Sequence, residues 1–214
     1  MTKLAIFDVD FTLTNRETLV EFYTFMLKKN PKLILYAPFG IISAFLFIIG
    51  LFSAKRAKEN FISFINGINE EKMKHLTAEF YKKRMCKIFY SDALDTMKKF
   101  KNKGYKIYLI SASAEFYLRE LYRIKEVDKI IGTTFLIKNG KHYNKIIGKN
   151  CKGDEKVRRL KESLKNDGIK VDFKNSYMFS DSLADLPLFN AVGNPYLINY
   201  KKNNPYNIKV LNWK

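Results

Sequence analysis

Leu4-Ala5-Ile6-Phe7-Asp8-Val9-Asp10-Phe11-Thr12-Leu13-Thr14 is the stretch whose reading decides the fold. Leu4 to Phe7 is a short apolar run and predicts a buried strand. Two carboxylates, Asp8 and Asp10, follow at its end. In an open parallel sheet that end faces the ligand crevice. In extended backbone Asp8 and Asp10 point the same way. Two like charges so close are costly unless a cation lies between them or one takes a proton. Oxygen-only ligands of this kind suit Mg²⁺, which binds one or two carboxylates and fills its shell with water and phosphate oxygens.

Outward from this stretch, the chain alternates helical and strand patterns. Asn15 to Thr18 is a helix entry, and Leu19 to Lys29 carries apolar residues at helical spacing. Glu17 there reads in two ways, as a first-turn acid favoured by the helix dipole or as a substrate contact. Leu33 to Phe52 has no charged residue and is long enough for a membrane span. Three readings compete for it: a transmembrane helix, a buried helix pair, or a hairpin dipping into a bilayer. The strand at Leu4–Phe7 lies before it and the strands from Lys106 on lie after it; if these share one sheet, both ends belong on one side. Lys28, Lys29 and Lys32 before it, with Lys55, Arg56 and Lys58 after it, give no inside–outside bias. Pro38 and Gly40 are expected to break a continuous helix. A helical hairpin, buried or membrane-facing, follows. Ser53 and Asn69 are expected to cap two further helices, the first carrying Ala57, Phe61, Phe64 and Ile65 inward.

Asp92 to Gly104 reads as an amphipathic helix closed by a C′ glycine. Lys106 to Ser111 reads as a strand ending on a hydroxyl, with a helix from Glu115 whose N-terminus favours an anion. Ile130 to Ile137 reads as strand, and Asn139-Gly140 as a two-residue hairpin turn. Lys152 and Lys156 lie one helical turn apart in Asn150-Cys151-Lys152-Gly153-Asp154-Glu155-Lys156-Val157 and share a face. Ser176 to Phe179 is another short strand, entering Ser180-Asp181-Ser182-Leu183-Ala184-Asp185-Leu186-Pro187-Leu188. One edge strand is expected after Asn194.

These segments, in order, resemble the four motifs of the haloacid dehalogenase superfamily of phosphotransferases. The resemblance runs from Lys3 to about Ile198. It implies an α/β fold, a doubly wound parallel sheet (residues 1–15 and 90–214) with an all-helical cap (16–89) inserted after the first strand. It implies Asp8 as the nucleophile that takes the phosphoryl group and Asp10 as the acid/base. Ser111 would bind a phosphoryl oxygen, Thr12 completes the first motif, and a lysine neutralises the nucleophile–phosphate pair. Lys156 fits that lysine best; Lys152 is the alternative on the substrate side. The Mg²⁺ shell would be built from Asp8, the Asp10 carbonyl and Asp181. Asp185 would orient a metal-bound water or Lys156. In the phosphoserine phosphatases a glutamate placed like Glu17 contacts the substrate amine. Phe11 departs from the pattern: many relatives carry Gly there, and its side chain would face the substrate entrance. The apolar hairpin, Gly-x-x-Lys-Val and Ser-Asp-Ser together resemble the phosphatidylglycerophosphate phosphatases.

Composition adds a compartment and a partner. Lys+Arg number 39 against 21 Asp+Glu, a formal net charge of +18. That favours a phosphorylated small molecule, a lipid head group or an anionic membrane surface. Nucleic acid ranks last, because no nucleic-acid motif accompanies the charge. Cys86 and Cys151 read as free thiols of a reducing compartment. The first strand begins too early for a signal peptide. The expected location is cytoplasmic, peripheral or hairpin-anchored at the inner membrane face. A soluble phosphatase for phosphoserine or a similar metabolite is the second functional reading.

Overall fold

The computed structural model describes residues 1–214. Six strands form one parallel sheet: β1 (Leu4–Phe7), β2 (Lys106–Ala114), β3 (Val127–Thr133), β6 (Tyr177–Ser180), β7 (Asn194–Ile198) and β8 (Lys209–Leu211). Their spatial order is β3-β2-β1-β6-β7-β8. The order reverses at β1, which pairs with β2 on one side and β6 on the other. Ligand crevices of open α/β sheets lie outside the carboxyl ends of the strands at such a switch point. β1 is buried along its whole length because both faces of the sheet are covered. Alternation then divides its side chains: Ala5 and Phe7 join one core, Leu4 and Ile6 the other. The second face is covered by α7 (Asp154–Asn166), through Leu160 and Leu164. The first receives α5 (Ser91–Asn102), through Ala93 and Met97.

Between β1 and α5 the chain is helical throughout. α1 (Thr18–Lys29) leads to a 3₁₀ turn (Pro31–Tyr36), α2 (Ala37–Ile48), α3 (Ala54–Phe61) and α4 (Glu70–Lys83). Ser53 caps α3 and Asn69 caps α4, each through its side-chain oxygen. An aromatic cluster of Phe22, Phe25, Phe64 and Phe80 ties α1 to α4 and to the 3₁₀ turn (Ile62–Ile65) after α3. Phe22 also packs on Phe116 and Tyr117 of α6 (Glu115–Leu118), so this core continues into that of the sheet.

Three expectations change, and one open alternative closes. Pro38 and Gly40 do not break the apolar stretch. Pro38 lies in the first turn of α2, where no amide donor is needed. Gly40 lets α2 approach α3, since a Cβ there would fall 2.8 Å from the Phe61 ring. The hairpin is therefore α2 against α3, with its turn at Ile49–Ser53. Neither is the stretch packed away: Pro31–Ile48 has a mean hydropathy of 1.8, yet only 11% of it is buried. The strand expected over Ile130–Ile137 breaks at Thr134, and β4 (Phe135–Lys138) pairs instead with β5 (Lys141–Ile146). That hairpin turns at Asn139-Gly140, both with positive φ. It lies on the helical insert, where Glu59 accepts from the Ile146 amide. Finally, the tail adds two parallel strands, β7 and β8, rather than one.

Candidate active site

Asp8 continues the β1 ladder, its amide donating to the Phe179 carbonyl at 2.9 Å. After it the backbone curls. The Val9 carbonyl accepts from the amides of Thr12, Leu13 and Thr14. Phe11 carries the bend at φ 56°. A side chain costs roughly 1 kcal/mol in that region, which glycine avoids. The bend gives the Phe11 position its preference for glycine, and here it turns an aromatic ring outward, 44% exposed. Asp8 and Asp10 thus do not project from one extended face, as the strand reading supposed.

The Asp10 carboxylate is held by three donors. Oδ1 accepts from the Thr18 amide (2.7 Å) and Oγ1 (2.6 Å), at the start of α1, and Oδ2 from Ser113 Oγ (2.5 Å). Asp8 Oδ2 meets Lys156 Nζ at 3.0 Å, and Asp185 Oδ2 meets the same Nζ at 2.7 Å. Ser180 Oγ also donates to Asp185 Oδ2, at 2.7 Å. Lys156 enters on the first turn of α7, behind Gly153 at φ 57°, and is 2% exposed. Burial opposes its charge, but the carboxylates of Asp8 and Asp185 outweigh that and hold the ammonium above its ordinary value. Lys152 stays exposed, close enough to Lys58 to repel its charge.

Ser111 and Ser113 lie two apart on β2; Ser113 Oγ reaches Asp10, and Ser111 Oγ is buried and accepts from the Ser113 amide. Thr12 Oγ1 accepts from the Asp181 amide at 2.9 Å, tying the turn after β1 to the turn after β6. Glu17 caps α1, accepting from the Val20 amide at 3.1 Å. Burial and the Asp10 charge push its carboxyl up to about 7. Lys58, reaching in from α3, donates to Ala112 O (2.8 Å) and Asn150 Oδ1 (3.0 Å). Thr18, Ser113 and Lys58 were not anticipated. The i, i+2 spacing of Ser111 and Ser113 was a usable signal; Lys58 was one basic residue among 39.

The donors suit Mg²⁺. Burial and the neighbouring Asp185 push Asp181 up to about 6, and no side chain pairs with its carboxylate. Asp8 is pushed well above the carboxylate range by burial, with Asp185 and Asp10 adding to it and Lys156 opposing. The crevice is therefore short of positive charge. No three carboxylate or imidazole groups converge into a cage. Hard carboxylate oxygens, fewer than a closed cage would supply, match how Mg²⁺ binds beside phosphate. Asp185, whose Oδ2 serves Lys156 and Ser180, positions the lysine.

The family model for haloacid dehalogenase-like hydrolases matches residues 5–190. A protein of unknown function from Bordetella pertussis Tohama I superposes with TM-score 0.85 at 21% identity, over 99% of both chains. A substrate-bound phosphoserine phosphatase superposes with TM-score 0.64 at 19% identity, over 94% of this chain and 88% of that one. A probable phosphatase of Mycobacterium tuberculosis is 26% identical over 112 residues, 52% of this chain and 38% of its own length. The chain spans less than half the length of such curated relatives. The family match runs from β1 through the Lys156 helix to the Asp181–Asp185 turn, the three elements whose side chains meet in the crevice, and the chain belongs to the haloacid dehalogenase-like hydrolases.

Proposed function

We propose that this chain is a Mg²⁺-dependent phosphomonoester hydrolase working through an aspartyl-phosphate, and that its substrate is a membrane-lipid phosphate such as phosphatidylglycerophosphate. Asp8 attacks phosphorus as the bond to the leaving oxygen breaks. Lys156 and the Ser111 hydroxyl hold phosphoryl oxygens, and Asp185 keeps Lys156 aimed at Asp8. Asp10, oriented by Thr18 and Ser113 and entering the step as the carboxylic acid, gives its proton to the leaving oxygen. It then takes a proton from the water that hydrolyses the aspartyl-phosphate. Asp8, Asp181 and the Asp10 carbonyl would hold Mg²⁺, which would supply charge neutralisation at the phosphoryl group. Residues 1–15 and 90–214 form the catalytic core in this reading, and 16–89 the cap. Thr12 braces the Asp181 turn, while Phe11, Glu17 and Lys152 border the substrate entrance.

The observation that carries the lipid reading is the outer face of α2. Phe39, Ile41, Ile42, Phe45, Ile48 and Ile49 are each at least half exposed. α3 connects this face to the crevice: Asn60 Nδ2 donates to Ser43 Oγ on α2, and Lys58 reaches Ala112 O beside Ser111. Exposed apolar faces of this extent mark interaction surfaces. Flanking lysines and a net charge of +18 suit an anionic bilayer. The proposed location is the cytoplasmic membrane face, bound peripherally through α2. The second reading, a soluble phosphatase for phosphoserine or a similar metabolite, is favoured by Glu17, whose carboxyl lies near Asp10 at the crevice.

Phosphate release should be measured from anionic vesicles containing phosphatidylglycerophosphate and from free phosphoserine, with and without EDTA. The lipid should be preferred and EDTA should abolish release. Asp8→Asn should lower turnover by about 10⁴-fold or more. Preference for phosphoserine would move the chain to the second reading, and an active Asp8→Asn would overturn the mechanism for both.

A further inference from the structure

Two hydroxyls hold the Asp10 carboxylate, and a third lies behind them that the mechanism does not use. Tyr117, on α6, is fully buried. Its hydroxyl lies 3.3 Å from Thr18 Oγ1. Thr18 Oγ1 in turn lies 2.6 Å from Asp10 Oδ1 and 3.2 Å from Ser113 Oγ. Ser113 Oγ lies 2.5 Å from Asp10 Oδ2.

Counting protons gives this chain a direction. Each hydroxyl has one proton to donate and two lone pairs with which to accept. Ser113 gives its proton to Asp10 Oδ2. Thr18 gives its proton to Asp10 Oδ1, the shortest of its three contacts and the one to a charge-bearing group. Thr18 then has none left for Tyr117, so the phenol is the donor of that pair. Burial pushes the phenol above its ordinary value, with Asp10 and Glu17 adding to it, so Tyr117 keeps the proton it donates. The ring is also fixed in place. It packs on Phe22 of α1 at 5.4 Å, on Phe80 of α4 at 6.0 Å and on Phe116 at 5.3 Å. A ring held on three sides sets where its oxygen lies, and locked supporting groups are what keep a reacting group in its working geometry.

We infer that Tyr117 is a positioning residue for the acid step: by donating to Thr18 Oγ1 it keeps Thr18 a donor to Asp10, and the Asp10 proton is left for the leaving oxygen. Without the phenol, Thr18 can turn round. It can give its proton to Ser113 Oγ and accept the acid proton of Asp10, which must then break that bond before it reaches the leaving group. Tyr117 touches neither substrate nor Asp10. It acts through Thr18, from the seam where the aromatic cluster of the helical insert meets the sheet.

The inference rests on the phosphatase reading, and the test separates the two. kcat/KM is measured for phenyl phosphate, whose phenolate needs a proton to leave, and for p-nitrophenyl phosphate, whose nitrophenolate leaves as the anion. Tyr117→Phe keeps the ring and removes the hydroxyl. It should lower kcat/KM about tenfold for phenyl phosphate and less than about threefold for p-nitrophenyl phosphate, since only the first draws on general acid catalysis. Tyr108→Phe, at a buried tyrosine of β2 in the opposite core, should change neither. In thermal unfolding, Tyr117→Phe and Thr18→Val should each lower Tm, and together cost less than their sum, because both remove the same bond. An equal fall on both esters, or no fall on either, overturns the inference while the phosphatase reading stands. Additive losses of stability overturn it as well. A wild type that hydrolyses neither ester overturns the phosphatase reading, and the role of Tyr117 falls with it.

Discussion

Lys156 has two carboxylates within 3.0 Å and almost no contact with water. Removing one partner of a buried charge cluster is costlier than never having the cluster, because the remaining charges stay desolvated. Lys156→Met should therefore destabilise the chain by about 3 kcal/mol in urea unfolding at pH 7.5. Lys156→Met with Asp185→Asn should recover part of that, a coupling that a purely steric defect would not give. Glu17 makes the opposite case, a carboxyl whose burial disfavours its charge. Its pKa rises from 4.5 in the unfolded chain to about 7 in the fold. The folded state thus holds the proton more tightly, and stability is lost as pH rises from 4.5 through 7. Glu17→Gln should match the wild type near pH 4 and exceed it at pH 8 by about 2 kcal/mol in thermal or urea unfolding. Equal pH profiles would show that Glu17 is not desolvated.

At the scale of elements, α2 and α3 divide the labour of the apolar hairpin. Gly40 against Phe61 and Ser43 against Asn60 fix α2 on α3, leaving its other face outward. Phe45 and Ile49 are on that outer face, 59% and 50% exposed. Phe45→Asp and Ile49→Asp should change unfolding stability by no more than about 0.5 kcal/mol each. On the proposed function they should release the protein from anionic vesicles and lower lipid-phosphate hydrolysis, leaving small soluble phosphates untouched. Co-sedimentation and the two activity assays check this together. The sequence alone left this element undecided for a physical reason. A charge-free run has the same composition whether it is packed inside or left outside, and only the helices around it decide. The break at Thr134 was hidden in a similar way. Ile130 to Ile137 reads as one β-prone run, and nothing local says that it splits at Thr134, so that only its second half joins the Asn139-Gly140 hairpin. By contrast, the caps at Ser53 and Asn69 and the Asn139-Gly140 turn are local chemistry, and the residues announced them. The fold puts Asp8 and Asp181 just past strand ends, Ser111 within β2 and Lys156 in the first turn of α7; these four were nameable as candidates because their segments resemble the motifs of a known family. The donors around Asp10 were not, because the curl at Phe11 decides which way that carboxylate faces.

For the whole molecule, the charge and the apolar face act on solution behaviour in opposite directions. A net charge of +18 keeps copies apart, and that repulsion reaches only about 10 Å at 0.1 M salt and about 3 Å at 1 M. Apolar attraction is not screened. Rising salt should therefore weaken attachment to anionic vesicles while driving the free protein to self-associate through α2. Light scattering from pure protein should show monomers in dilute buffer and growing particles as sodium chloride is added. The Phe45→Asp, Ile49→Asp double variant should stay monomeric throughout. A chain handled at low ionic strength would then look well behaved while lacking any trace of its stickiness. The same chain in ordinary buffered saline would be a colloid held back only by dilution.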